Sequence, residues 1–212
     1  MPVPKGKVPR QVREREMLAV ARRAFARHGF DEASMDDIAE AAGVSKPMLY
    51  NYFESKGGLF YACVREEAGK LFDAVRSAAA APDLPPNERL WRGFHAFFAW
   101  IDDNRDGWRV VYLEATRSAA VEAGGSWARA RMAEILGGLL AENAVADGIS
   151  RDMRTHIESL AHMLTWATMA AADYWLDHPD EPPDLQALRL MNFCWVGFER
   201  MLDGHLWLPS GI

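Results

Sequence analysis

The sequence predicts an all-α protein with a three-helix N-terminal head and a larger C-terminal helical bundle, about nine helices in total. Apolar residues recur at helical spacing along the chain, and no strong alternating run predicts a strand. Groups of proline and glycine divide the chain into helix-sized segments. The chain has 212 residues, of which 50% are hydrophobic and 25% charged, so it can bury a core and is not a disordered sequence.

The head begins with a helix predicted over residues 11–28, where apolar side chains form one stripe. Gly29 suits the end of this helix, because glycine adopts the left-handed conformation without strain. Gly43 separates the second helix from the third. A serine side chain can accept hydrogen bonds from the free N–H groups that begin a helix. Three serines therefore predict the N-caps of helices two, three and four: Ser34, Ser45 and Ser55.

The segment AAPDLPP at residues 80–86 is the clearest linker, since its prolines end one helix and begin the next. We therefore divide the chain into a flexible basic tail at 1–10, a head at 11–56, a connecting helix at 57–80 and a body at 87–212. Five helices are predicted within the body, at about 87–103, 107–117, 126–145, 150–177 and 184–203.

Charge is distributed unevenly, although the formal net charge of the whole chain is −6. Residues 1–30 contain eight Lys and Arg against two Glu, whereas the rest of the chain is acidic. A basic head on an acidic body predicts that the head alone binds a polyanion such as nucleic acid. The alternative is a solvated basic helix face with a mobile tail, and charge alone does not decide between the two.

Residues 34–53, SMDDIAEAAGVSKPMLYNYF, have the spacing of a helix-turn-helix, in which the second helix enters the DNA major groove. Ala39 and Gly43 provide a small residue and a turn, and Leu49 faces inward. The outward side chains offer donors for phosphates, hydrogen-bonding groups for base edges and apolar groups for thymine methyls. The alternative is an ordinary helical hairpin with solvated polar residues. The candidate DNA-contacting residues of the second helix are Ser45, Lys46, Pro47, Met48, Tyr50, Asn51 and Tyr52.

Four short runs follow one another in the head: Phe25-Ala-Arg-His-Gly-Phe30, Ser34-Met-Asp-Asp-Ile-Ala39, Ala42-Gly-Val-Ser-Lys46, and Leu49-Tyr-Asn-Tyr-Phe53 with Ser55-Lys56. In this order and spacing, residues of about 11–60 resemble the DNA-binding head of the TetR/AcrR family of transcriptional regulators. The resemblance implies that residues 45–52 belong to the recognition helix, and that Tyr50 and Lys56 contact phosphates. It also implies a homodimer built by the last two long helices, a near-palindromic operator in double-stranded DNA, and a ligand pocket in the body.

The body is rich in aromatic residues, and all eight tryptophans follow residue 90. Aromatic and methionine side chains on neighbouring helices suit an adaptable apolar pocket, although most of them must form plain core. The last helix is apolar on more than one side, which fits either a dimer interface or the centre of a monomeric bundle. The candidate ligand-binding residues are Phe94, Phe98, Trp108, Tyr112, Met163 and Trp166.

No pattern predicts catalysis or a metal site. His156 and His162 do not share a helix face, and Cys63 and Cys194 give no metal-ligand spacing. We therefore expect no enzymatic activity, no metal and no cofactor. The chain shows no signal peptide and no apolar stretch long enough to span a membrane, which predicts a cytoplasmic protein without a membrane partner.

Together these features favour a sequence-specific DNA-binding transcriptional regulator, interpreted as a homodimeric repressor that a small apolar or aromatic effector releases from DNA. The alternative, from a different functional class, is a helical small-molecule-binding module without specific DNA recognition.

Overall fold

The computed structural model describes residues 9–116, 127–144 and 151–202. These residues form nine helices, and no strand occurs within the same ranges, which confirms the predicted all-α class. The helices are α1 (Arg10–Glu32), α2 (Met35–Ala41), α3 (Lys46–Phe53), α4 (Lys56–Ala79), α5 (Pro86–Asp103), α6 (Arg105–Thr116), α7 (Trp127–Ala144), α8 (Arg151–Leu176) and α9 (Pro183–Leu202).

The five helices predicted for the body agree with α5 to α9 within two residues at each end. Residues 1–8 of the predicted basic tail lie outside the described residues. The same holds for the parts of the predicted body at 117–126, 145–150 and 203–212. Within the described ranges, no helix combines the length and the apolar character needed to cross a membrane.

The chain divides into two compact units. The first contains α1, α2, α3, the beginning of α4 up to Gly69, and α6; the second contains the rest of α4 with α5, α7, α8 and α9. In the first unit α1 packs against α2 and α6, and α2 packs against α3. In the second unit α7 packs against α8 and α5, and α9 packs against α5 and α8.

Aromatic rings and one ion pair join α1 to α4 within the first unit. The ring of Phe60 meets Phe25 and Phe30 edge-on, with centroid distances of 5.0 Å and 5.1 Å. Arg22 donates from Nη1 to Oε1 of the buried Glu67 at 2.8 Å. Because a buried carboxylate is costly without a charged partner, this pair restricts how α4 can rotate against α1.

Two glycines end helical segments where the sequence predicts them to. Gly29 has φ 73° and interrupts the helical conformation inside α1. Gly43 has φ 64° and follows α2. Its N–H donates to the Glu40 carbonyl at 3.0 Å, and the Val44 N–H donates to the Ala39 carbonyl at 3.0 Å. This is a Schellman turn, which satisfies the last carbonyls of α2 and starts α3 after a very short connection.

The serine caps predicted for helices two, three and four are all present. In each case the serine Oγ accepts a hydrogen bond from a backbone N–H two or three residues later, which satisfies an otherwise unpaired donor. The pairs are Ser34 with Asp36 at 3.2 Å, Ser45 with Met48 at 3.3 Å, and Ser55 with Gly58 at 2.9 Å.

Only two residues, Glu54 and Ser55, connect α3 to α4. Glu54 has φ 64°, which is uncommon for a residue with a side chain. A Cβ atom on Gly58 would lie 2.1 Å from the carbonyl oxygen of Phe53. Only glycine therefore fits at residue 58 without a shift of the backbone.

Side-chain to backbone hydrogen bonds fix two corners of the second unit. Arg89 donates from Nε to the Ala79 carbonyl at 3.0 Å, which joins the start of α5 to the end of α4. Trp175 donates from Nε1 to the Glu181 carbonyl at 2.7 Å at the corner between α8 and α9. The Glu181 carboxylate in turn accepts hydrogen bonds from Arg189, and these bonds lower the pKa of Glu181.

We predict that Gly58→Ala destabilises the protein by about 1–3 kcal/mol, because the new methyl group collides with backbone rather than with a mobile side chain. The matched control is Gly57→Ala, whose Cβ would lie 3.7 Å from Ser55 Oγ in ordinary contact. Urea denaturation of both variants checks the prediction. Equal unfolding free energies for the two variants would contradict it.

Candidate nucleic-acid interface and apolar cavity

The eight-residue helix α3 is anchored by two side chains and presents the others to solvent. Leu49 and Phe53 are its buried residues, and their spacing of four places them on one face. All the remaining positions of the helix therefore face sideways or outward. The predicted DNA-contacting residues are all exposed or half-buried: Ser45, Lys46, Pro47, Met48, Tyr50, Asn51, Tyr52 and Lys56.

Lys46, the first residue of α3, is paired across the turn with α2. Its Nζ donates to Oδ2 of Asp36 at 2.8 Å, and both side chains are exposed. The hydrogen bond to Asp36 and the negative charge of that carboxylate raise the pKa of Lys46 above its ordinary value. Lys46 is therefore fully charged near neutral pH, and its ammonium group is already held at the start of α3.

Basic residues of other helices border α3. The guanidinium of Arg10, at the start of α1, lies 4.9 Å from the centroid of the Tyr52 ring. Lys56, at the start of α4, donates to the Asp31 carbonyl at 2.8 Å and lies 5.0 Å from the centroid of the Phe30 ring. An ammonium group has three donors, so Lys56 can hold this carbonyl and still reach an anion.

The exposed groups of α3 match the chemistry of duplex DNA. The Asn51 amide both donates and accepts, as the major-groove edge of adenine does. Tyrosine hydroxyls such as that of Tyr50 can donate to phosphate oxygens. A short helix with this surface, set on a Schellman turn beside a basic first helix, defines a DNA-binding protein of the helix-turn-helix class.

The second unit contains an apolar cavity between α4, α5, α7 and α8. Its volume is about 10 Å³, close to the smallest space that can hold one water molecule. Ligand pockets usually measure about 300–1,000 Å³, so a ligand could enter only if side chains moved apart. The Thr168 hydroxyl at its wall donates to the Leu164 carbonyl at 2.7 Å. The other lining residues include Val75, Gly93, Phe94, Met132 and Leu139.

The six predicted ligand-binding residues do not lie together in one site. Phe94 lines the cavity, and Phe98 is fully buried one turn further along α5. Met163 and Trp166 of α8 are exposed at the surface of the second unit. The remaining two lie on α6 in the first unit, with ring centroids 6.0 Å apart: Trp108 and Tyr112.

Large exposed apolar side chains concentrate on α8 and α9. Phe193 is the most exposed of them, at 77% of its full accessible surface. Exposed apolar groups of this size on neighbouring helices are typical of a surface that another protein covers. We call these residues the α8/α9 apolar surface: Met163, Trp166, Tyr174, Leu188, Phe193 and Val196.

Neither cysteine has the surroundings of a reactive thiol. Cys63 is buried, and its Sγ lies 3.7 Å from the Leu18 carbonyl oxygen. Burial raises the pKa of Cys194 to about 11, which keeps that thiol protonated near neutral pH. In the part of the chain that the structure describes, no group of three or more His, Cys, Asp or Glu residues could hold a metal ion.

Two family models match the chain. Residues 17–63 match the model described as bacterial regulatory proteins of the tetR family. Residues 86–197 match the tetracyclin repressor-like C-terminal domain. The second match covers more than half of the chain, and the protein therefore belongs to the TetR family of transcriptional regulators.

Known relatives agree with this family. The chain is 30% identical over 210 residues to the transcriptional activator FasR of Mycolicibacterium smegmatis, covering 92% of this chain and 87% of that protein. It is 37% identical over 75 residues to the transcriptional repressor AcnR of Corynebacterium glutamicum, covering 35% of this chain and 39% of AcnR. The crystal structure of a TetR-like transcriptional regulator from Rhodococcus sp. RHA1 has a TM-score of 0.71 and 34% identity, covering 94% of this chain and 100% of that one.

Proposed function

We propose that this regulator is a homodimeric repressor that binds a near-palindromic operator through α3 and is released by a small apolar or aromatic effector. In this proposal residues 11–56 bind DNA, and residues 87–212 bind the effector and form the dimer. The observation that carries it is the outward face of α3, which exposes Lys46 and polar side chains while Leu49 and Phe53 are buried.

The proposed contacts follow from side-chain chemistry. Lys46 and Asn51 would read base edges, and Tyr50 and Lys56 would hold phosphates. Pro47 and Met48 would supply apolar contact to a thymine methyl group. The remaining candidates, Ser45 and Tyr52, would donate to the DNA backbone from the two ends of the helix.

The α8/α9 apolar surface supports the proposed homodimer. A monomer would leave these side chains in water, whereas a second copy related by a two-fold axis would cover them. Two linked heads bind DNA more tightly than one, because the second binding event becomes intramolecular. A two-fold dimer also accounts for a near-palindromic site.

The apolar cavity supports the proposed effector class. Its surface is hydrocarbon and aromatic ring, and the one hydroxyl among its lining residues, on Thr168, already donates to the Leu164 carbonyl. Such a lining favours an apolar or aromatic ligand over a charged one. Because the cavity is nearly filled, an effector must stabilise an expanded body. A ligand shifts the equilibrium between two such forms only by its difference in affinity for them.

The sign of regulation is a separate part of the proposal, since FasR is a transcriptional activator and AcnR a transcriptional repressor. A reporter gene placed downstream of the operator tests it. Repression that is relieved by the effector is the expected result, and expression that falls when the gene for this protein is deleted would contradict it.

We predict that Asn51→Ala weakens operator binding about 5- to 150-fold and abolishes discrimination at one base pair. Tyr50→Phe should weaken operator and random duplexes by the same factor, because a phosphate contact carries no sequence information. Fluorescence anisotropy at one fixed salt concentration measures both effects.

The control for the hydroxyl deletion is Tyr61→Phe, at a tyrosine of α4 whose exposure is similar, 43% against 39% for Tyr50. Unchanged DNA binding in all three variants would contradict the proposed recognition role of α3. It would favour a helical ligand-binding module without specific DNA recognition.

We predict that Gly93→Ala weakens effector binding about tenfold, because the added methyl group occupies the cavity. Its Cβ would lie 3.7 Å from Val75 Cγ1, so the free protein accommodates it. Gly138→Ala is the control, since no atom lies within 4 Å of its Cβ and it gains the same helix propensity.

The probes are apolar compounds of graded size, chosen because they raise the thermal unfolding midpoint of the parent protein. The same rise is then measured for each glycine variant. If Gly93→Ala and Gly138→Ala reduced this rise in the thermal midpoint equally, the cavity would not be the effector site.

We predict that Phe193→Glu converts the dimer to a monomer at micromolar concentration and lowers operator affinity at least about tenfold. The charge would be buried without a partner in the dimer but solvated in the monomer. Phe193→Leu is the control and should remain dimeric. Sedimentation equilibrium gives the masses, and a dimeric Phe193→Glu variant would exclude this surface as the interface.

A further inference from the structure

The ion pair between Lys46 and Asp36 connects the start of the proposed recognition helix to α2. The Lys46 Nζ lies 2.8 Å from Asp36 Oδ2. The backbone N–H of Asp36 donates to Ser34 Oγ, so the carboxylate is attached to a capped, well-defined helix start. Lys46 therefore meets DNA as a lysine that is already bonded on one side.

We infer that Asp36 is a specificity-determining residue, whose carboxylate holds the Lys46 ammonium for a base edge and discourages its use by phosphates. This inference rests on the proposed function, because it requires that α3 bind DNA sequence-specifically. Asp36 acts through Lys46 and is thus a positioning residue rather than a base-contacting one.

The inference follows from the different charges of the two DNA groups that compete for Lys46. One of three ammonium donors is taken by Asp36, which leaves two for the acceptors on a guanine edge. A guanine edge carries no net charge, so it can share Lys46 with the carboxylate. A phosphate that shared Lys46 would lie well within a Debye length of about 8 Å from the Asp36 carboxylate and be repelled.

Binding to random sequences depends on phosphate contacts, whereas operator binding also depends on base edges. The pair therefore penalises random DNA more than the operator. Its effect is modest in size, because a solvent-exposed ion pair contributes little to any one equilibrium. The ratio of the two affinities is more informative than either affinity alone.

The test compares Asp36→Asn with Asp37→Asn. Both residues are exposed, lie in the first turn of α2 and donate their backbone N–H groups to Ser34 Oγ, so each variant removes one negative charge from the same turn. Asp37→Asn leaves the bond between Asp36 and Lys46 in place. The difference between the variants isolates the ion pair from the general loss of negative charge.

For Asp36→Asn we expect affinity for a random-sequence duplex to rise about two- to fivefold more than affinity for the operator. The dependence of random binding on salt should also steepen, by up to about 0.9 in the slope of log K against log salt concentration. For Asp37→Asn both affinities should rise by one common factor, with the affinity ratio unchanged. Asp36→Ser should reproduce the result of Asp36→Asn.

An affinity ratio that is the same in Asp36→Asn and Asp37→Asn would overturn the inference while leaving the proposed function intact. A second check introduces Asp36→Asn and Asp37→Asn into a Lys46→Met protein. Without the lysine, the two aspartate substitutions must change the ratio of operator to random affinity equally. If the parent protein itself does not distinguish its selected site from random duplex, the proposed function fails, and the inference fails with it. Thermal unfolding of each variant establishes that the compared proteins are folded.

Discussion

The proposed recognition surface depends on the burial of Leu49 and Phe53, which fixes the rotation of α3 about its own axis. With these two side chains in the core of the first unit, the other side chains of this short helix must point sideways or outward. The Schellman turn at Gly43 fixes where α3 begins, and the close approach at Gly58 fixes where the chain leaves it. In the proposed function, side chains that contribute little to the core therefore set both the affinity for DNA and the choice of sequence.

The cavity of the second unit is nearly filled, so a ligand can bind there only if the unit changes its packing. A regulator that responds to a ligand needs two conformations whose free energies are close. Here the first conformation has the filled cavity, and the second would have an enlarged one. Helix α4 contributes Glu67 to one compact unit and Val75 to the cavity wall of the other, so both units share this helix. By linkage, an effector that weakens DNA binding must itself bind the DNA-bound protein more weakly, by the same factor.

Much of the fold was predictable from local sequence signals, since caps, glycine turns and proline linkers act within a few residues. The inward position of Leu49 was predicted from the helix-turn-helix spacing, whereas Phe53, one turn later on the same face of α3, was not identified as the second buried residue. The pairing of Lys46 with Asp36 was not, as it joins residues ten apart whose contact depends on the geometry of the turn. The cavity wall was predicted only at Phe94, since apolar spacing identifies a buried face without revealing which buried residues border empty space.

The proposed function requires that the outward face of α3 read duplex DNA by sequence. The most direct measurement is selection by the purified protein from a random-sequence duplex library, performed in parallel at low and at physiological salt. We expect one near-palindromic site that is enriched at both salt concentrations, with half-sites about one helical turn apart. Recovery of unrelated sequences that are lost at physiological salt would contradict it, because such binding needs only the basic charge of the head.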